Sequence, residues 1–300
     1  MAELINLETF VTAVRAGSFA AAARLLSISP AMVGRRIQAL EEEHGARLIE
    51  RTTRAQRLTE LGESFFAQAE AVLDAVAELD ELTRSEPGKL TGRIRATGPA
   101  TLGIHRLAAI VARFCEANPE VTVELSLNDR RADLIAEGFD LAIRVGELQA
   151  SSMIARHVGI YRLMCVAAPD YLLAHGTPAT PEDLKHHRCI LNLNMSPRGR
   201  WPFFGPGGAG VGVSVVAEVE GGLQIDNGEA QLVAALAGAG IVYLPVDLVS
   251  APLADGRLVQ LLPHWQTMTL PIHIIYPSRR LVPRRIRAFI DAIAAGLREA

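Results

Sequence analysis

The residues that could do chemistry in this chain are mostly arginines, and they cluster early. Ala31, Gly34, Arg35 and Gln38 fall on one face of a helical pattern that starts at Pro30. Small side chains beside a cation suit close approach to a polyanion, and an arginine can take guanine O6 and N7 or a phosphate. Arg51 and Arg54 flank Thr52-Thr53 on the next segment and suit phosphate contact. Residues 1–58 hold eight arginines against six glutamates, while residues 60–86 hold eight acids against one arginine. With a net charge of −3 for the whole chain, the basic patch reads as local.

Other chemistry finds little support. No Ser/His/Asp set, HExxH or GxSxG occurs, so no catalytic residue is assigned and an enzyme is not expected. His186-His187-Arg188-Cys189 has neither the ligand count nor the spacing of a metal site, and no cofactor or metal is expected. Gly205-Pro206-Gly207-Gly208 lacks the Lys-Ser/Thr of a phosphate loop and reads as a turn. Cys165 and Cys189 could form a redox pair or be two buried thiols; sequence alone does not bring their Cα atoms together. The absence of a long apolar run and of a leader-like start suggests a cytoplasmic protein with reduced cysteines and no membrane partner.

Helices must position the early arginines. Leu7, Phe10, Val11 and Val14 follow helical spacing up to Gly17. Ser18 is placed to cap a second, alanine-rich helix over Phe19–Leu26, and Ser29 to cap a third with Pro30 at its first position. Val33, Ile37 and Leu40 give that third helix a buried stripe, ending at Gly45. Two short helices, a turn and an arginine-bearing third helix are the parts of a helix-turn-helix, and two strand-like pieces at 47–49 and 57–59 form a wing. The alternative is a small helical domain with solvated arginines. From Glu60 to about Arg84 a long helix carries Phe65, Ala69, Val72, Val76 and Leu79 at heptad spacing, which suggests a homodimer seam or a helix packed on its own domain. Ser85-Glu86-Pro87-Gly88-Lys89 breaks the pattern, and strands alternate with helices from Gly92 onward, as in an α/β fold.

FVTAVRAGSFAAAARLL (10–26), ISPAMVGRRIQALE (28–41) and RLIERTTRAQRLT (47–59) resemble the LysR-type transcriptional regulators. Later phrases, GRIRATGP (92–99), DLIAEGFDLAIRVG (133–146), PEDLKHHRC (181–189) and DNGEAQLVAALAGAGIVYL (226–244), are similar to that family's effector-binding region. The resemblance implies a winged helix-turn-helix over 1–59, all-α apart from its wing, and a linker and dimerisation helix over 60–89. It further implies a two-lobed, periplasmic-binding-protein-like α/β domain over 90–300, with lobe I at 90–162 and 267–300 and lobe II at 163–266. Ser18, Ser29, Pro30, Ala31, Met32, Gly34, Arg35, Arg36, Gln38, Arg51, Thr53 and Arg54 are the implied DNA-facing residues. Pro30, Met32 and Gly34 replace the Gln, Ala and Ser common in the family, so Arg35 stands out as the polar contact. The implied partners are double-stranded operator DNA, a small-molecule effector, a second or fourth copy of the chain, and RNA polymerase.

The effector is expected at the carboxyl ends of the strands, near Pro99, Ala100, Thr101, Asn128, Arg144 and Asn227. Free N–H groups at such helix starts lean the expectation toward an anion. The plainer reading keeps Thr101 as a helix cap and Arg144 as a structural ion-pair partner. A second class of function, a cytoplasmic small-molecule-binding protein whose N-terminal part serves assembly alone, also fits the same pattern.

Overall fold

A computed structural model of the chain describes residues 2–51, 56–83, 89–130, 133–134, 137–148, 153–195, 197–205, 213–277 and 282–298. The chain divides into two compact units: Met1–Thr91 with Asp133–Asp140 and Arg279–Arg287, and Gly92–Ala132 with Leu141–Ser278 and Ala288–Ala300. Among the described residues no helix is long and apolar enough to cross a membrane.

In the first unit, α1 (Ala2–Arg15), α2 (Phe19–Leu25) and α3 (Pro30–His44) close on one core. Phe10, Val11, Ala22, Ala23, Val33, Ile37 and Leu40 are buried in it. The alanines matter by being small: with no side chain beyond Cβ, α2 can lie close against α3. Ser18 Oγ accepts the Ala21 N–H at 3.2 Å and Ser29 Oγ accepts the Met32 N–H at 3.2 Å, while Gly45 ends α3 with φ of 61°. A cap contributes about 1 kcal/mol, against about 1.5–3 kcal/mol for each fully buried Val, Ile or Leu. The apolar stripe therefore sets where α3 lies, and the caps set where it begins.

Beyond α3, β1 (Ile49–Arg51) and β2 (Gln56–Leu58) pair antiparallel as the wing. One carboxylate ties this hairpin to α3: Glu41 Oε1 accepts the N–H groups of Leu48 at 2.8 Å and Ile49 at 3.0 Å. The wing then runs into α4 (Glu60–Thr83) through Thr59, whose Oγ1 donates to Arg47 O at 2.9 Å and accepts the Gly62 N–H at 2.8 Å.

The first half of α4 belongs to this core, which corrects part of the expected seam. Ala69 is buried, and Phe65 packs edge-on against Phe10 with ring centroids 5.6 Å apart. Phe66 and Leu73 join the same cluster, and Arg15 pairs with Glu70 at 2.8 Å. Residues 62, 66, 69 and 73 form the inward stripe. Outward lie Leu61 and Val72, both exposed, with Val76 half-buried. The helix is rotated about one position from the heptad frame because the aromatic pocket left by α1 takes Phe66 and Ala69 inward. The side chain of Leu79 lies outside the described residues.

The second unit is built on a seven-stranded sheet. Its order is β11 (Val242–Pro245), β6 (Met153–Ala167), β14 (Thr269–Pro277), β5 (Leu141–Val145), β3 (Gly92–Gly98) and β4 (Val121–Leu127), with β12 (Val259–Gln260) also on β6. β3 runs parallel to β4 and β5. Between β3 and β4 the chain forms α5 (Ala100–Leu102), a π-helical turn at Gly103–Leu107 and α6 (Ala108–Ala117). The fifteen-residue β6 pairs with β14 over Met153–Arg162 and with β11 over Leu163–Val166, so it runs through both lobes. After β6 come α7 (Pro169–His175), the short parallel pair of β7 (Leu191–Asn192) and β10 (Gln224–Ile225), and α8 (Gly228–Leu236); α9 (Val246–Ala254) follows β11. A smaller sheet of β13 (Gln266–Thr267), β8 (Arg200–Phe204) and β9 (Ser214–Glu218) is fixed by Tyr243, which stacks on Trp201 and donates to Pro202 O at 2.9 Å. α10 (Arg284–Arg298) ends the chain's described part.

Gly62 tests the wing junction. A Cβ there would lie 2.0 Å from the Leu48 carbonyl oxygen, a backbone atom that the Glu41 clamp holds in place. Gly62→Ala should lower the melting temperature of the head and the protease resistance of the wing, by about 1–3 kcal/mol in stability. Gly238→Ala in the other unit serves as a comparison for φ-driven strain without a clash.

Candidate DNA-reading head and effector cleft

The solvent face of α3 is set by the stripe that buries Val33, Ile37 and Leu40. Pro30, Ala31, Arg35 and Gln38 are exposed on it, with Met32, Gly34 and Arg36 half-buried. The polar members differ in what they are already doing. Arg36 donates from Nη1 to Thr9 Oγ1 at 3.2 Å, tying α3 to α1. Gln38 donates to Glu42 Oε1 at 2.8 Å. Arg35 makes no ion pair or hydrogen bond among the described residues, so its guanidinium is the free cation of this face. Ser18 and Ser29 use Oγ as cap acceptors, leaving each hydroxyl proton available to a phosphate. In the wing, Thr53 and Arg54 and the side chain of Arg51 lie outside the described residues.

In the second unit the carboxyl ends of β3, β4 and β5 open on one edge, opposite the start of α8. Pro99 is the N-cap position of α5, and Thr101, only 7% exposed, sits against Gly228: a Cβ on Gly228 would fall 2.7 Å from Thr101 Oγ1. Two further contacts cross between the lobes. His105 Nε2 lies 2.7 Å from Glu229 Oε1, and Arg106 Nη1 lies 3.9 Å from Asp247 Oδ2. Asn227 caps α8 by accepting the Ala230 N–H at 3.0 Å. Asn128 donates to Ser126 Oγ at 3.2 Å, and its backbone N–H to Gly98 O. Arg144 donates to Arg130 O at 3.3 Å. The six residues expected around an effector thus come from both lobes, but Asn227 and Arg144 are committed to local structure.

One feature runs against the expected preference for an anion. The Ala100 N–H, first of the free donors at this helix start, donates to Asp129 Oδ1 at 3.2 Å. The carboxylate that would have been the ligand's is supplied by the chain itself. Asp129 follows β4 directly, in the phrase Asn128-Asp129-Arg130, a position the strand pattern pointed to without distinguishing its second residue.

These two sites have counterparts. Residues 4–63 match the family described as bacterial regulatory helix-turn-helix protein, lysR family, and residues 87–298 match the LysR substrate binding domain. The chain belongs to the LysR-type transcriptional regulators. It is 34% identical to an HTH-type transcriptional repressor of Pseudomonas aeruginosa, over 97% of this chain and 91% of that one. Among solved structures, the full-length Vibrio cholerae virulence activator AphB is 30% identical with a TM-score of 0.61, covering 97% of this chain and 98% of its own. CrgA of Neisseria meningitidis is 31% identical with a TM-score of 0.61, covering 98% of each chain. This LysR-type regulator is accordingly a DNA-binding transcription regulator with an effector-binding domain, α/β overall.

Its cysteines are placed for packing. Cys165 and Cys189 are buried, and burial pushes both thiols up, Cys189 to about 12 and Cys165 well above its ordinary value, with Cys189 adding to the latter. A thiol is reactive as thiolate, so both are inert at neutral pH. His187 stands 3.3 Å from the Tyr171 hydroxyl and Arg188 donates to His175 at 2.7 Å, so the His186-His187-Arg188-Cys189 phrase forms a packed turn. Titration of the native protein with a colourless disulfide reagent should modify the half-buried Cys115 well before the other two. Equal rates at all three, read by peptide mass after quenching, would contradict the burial argument.

Proposed function

We propose that this regulator reads operator DNA through the exposed face of α3, with Arg35 as the principal polar contact and the wing arginines Arg51 and Arg54 on phosphate. The observation that carries the reading is the contrast between Arg36, spent on Thr9, and Arg35, which is free. With Pro30, Ala31, Met32 and Gly34 around it, much of the remaining discrimination falls to apolar contact and DNA shape. The domain arrangement is a head over 1–59, the α4 linker over 60–89 and an effector domain over 90–300. A small effector binds between the lobes of that domain and biases two arrangements by binding them with different affinity.

Dimers, or tetramers built from them, form through the outer face of α4, which carries Leu61, Val72 and Val76. The protein works in the cytoplasm, is not an enzyme, and meets RNA polymerase at its promoters. The printed descriptions of similar proteins include both a repressor and an activator, so the sign of regulation is left to experiment.

Binding of the full chain to its operator should fall linearly on a log–log plot against salt. Arg35→Ala should weaken specific binding by about 1–3 kcal/mol and leave non-specific binding nearly unchanged. An equal loss on specific and random DNA would make Arg35 a phosphate contact instead. Val72→Glu places a charge on an exposed α4 position, so folding is spared while a seam there is not. Light scattering should then show loss of the dimer; an unchanged mass would move the interface elsewhere.

A further inference from the structure

The effector cleft is acidic, and its acids are unevenly matched. Glu229 meets His105 and Asp247 meets Arg106. Asp129 and Asp226 meet no cation among the described residues, and the charge of Asp226 is close enough to Asp129 to raise its pKa. Burial of the Asp129 carboxyl raises it further, against the lowering effect of the Ala100 N–H. Asp129 comes from the end of β4 in lobe I and Asp226 from the turn before α8 in lobe II, so the two face one another across the cleft.

Tyr161 is the second, independent observation. It lies on β6 at the crossing between the lobes, one residue before the pairing with β14 ends. The residue is 8% exposed, and its hydroxyl has no hydrogen-bond partner among the described residues. Burial holds its pKa well above the ordinary phenol value, and Asp247, Asp129 and Glu229 all act in the same direction. Carboxylates from both lobes therefore surround one unpartnered, buried phenol oxygen. A buried hydroxyl without a partner is costly, and a cluster of carboxylates with too few cations repels itself.

We propose that the effector is a small primary amine whose ammonium group is held by Asp129, Asp226 and the Tyr161 hydroxyl. This rests on the reading of the inter-lobe cleft as the effector site and adds the ligand's chemical class. An ammonium has three N–H donors and no acceptor, which matches three acceptors on three elements. An anion would meet the opposite: its natural donor, the Ala100 N–H, is taken by a carboxylate, and the unmatched charges around it are negative. Binding the cation removes the repulsion between Asp129 and Asp226, so it favours the arrangement in which the lobes are drawn together. That differential affinity is what an effector needs in order to shift a two-state equilibrium.

Calorimetry on the full-length protein, with n-butylamine, butyrate and n-butanol as length-matched probes, separates the classes. Butylamine should bind and raise the melting temperature, while butyrate and butanol should do neither. Asp129→Asn and Asp226→Asn should each weaken butylamine by about tenfold; the asparagine at 129 keeps an acceptor for the Ala100 N–H, so the helix start is preserved. Tighter binding of butyrate, no binding of any probe at millimolar concentration, or an affinity unmoved in both variants overturns the proposal. Operator binding is measured on the same preparations. A protein that binds DNA but not the amine loses only the cation site. One that binds the amine but not DNA loses the regulator reading and keeps the site.

Discussion

Strand β6 is the constraint on which the effector domain depends. Fifteen residues of continuous strand pair first with β14 and then with β11 and β12, so the two lobes share one backbone element. Its ladder hydrogen bonds fix where each lobe presents its strand ends, and they place Tyr161 at the crossing. The parallel ends of β3, β4 and β5 and the start of α8 are then held opposite each other, as ligand clefts in open α/β sheets require. Contacts across the opening are few and polar. His105 with Glu229 and Arg106 with Asp247 are partly solvated pairs of the kind that contribute about 0–1 kcal/mol each. A boundary of that strength can shift with a ligand, whereas the strand behind it cannot.

The head is organised on a different balance. Its core is apolar and small, so three polar ties decide geometry that packing alone leaves loose. Glu41 holds the wing to α3 through two backbone N–H groups, Thr59 holds the wing to α4, and Arg36 holds α3 to α1. Charge-assisted bonds to backbone N–H are the stronger class, and Glu41 uses both donors on one oxygen. The consequence is functional: the side chains that could have contacted DNA from the inner edge of α3 are occupied, and Arg35 is left to project.

Alpha-4 shows how one amphipathic helix divides its surface. The stripe of residues 62, 66, 69 and 73 turns to the head because Phe10 and its neighbours leave an aromatic-lined groove there. What remains outward is narrower than a full heptad seam, with Leu61, Val72 and Val76 as its apolar members. A helix can satisfy its own domain and still carry a second apolar edge, because 3.6 residues per turn distributes neighbours over more than one face.

Much was determined by the sequence alone. Local signals, which depend on residues close in the chain, placed the caps at Ser18 and Ser29, the buried stripe of Val33, Ile37 and Leu40, and the alternating strand at 121–127. The phrases around them were enough to indicate the family. The tertiary structure decided everything that depends on partners distant in sequence. Periodicity shows that α4 has an apolar face but not which neighbour takes it, so Phe65 and Ala69 went to the head. A helix start advertises free N–H groups, but only the fold brings Asp129, twenty-nine residues on, to occupy the one at Ala100. Tyr161 and Asp226 carried no local pattern at all. Their meaning arises from three-dimensional electrostatics, in which charges from two lobes sum at one buried oxygen, and no spacing along the chain encodes that sum.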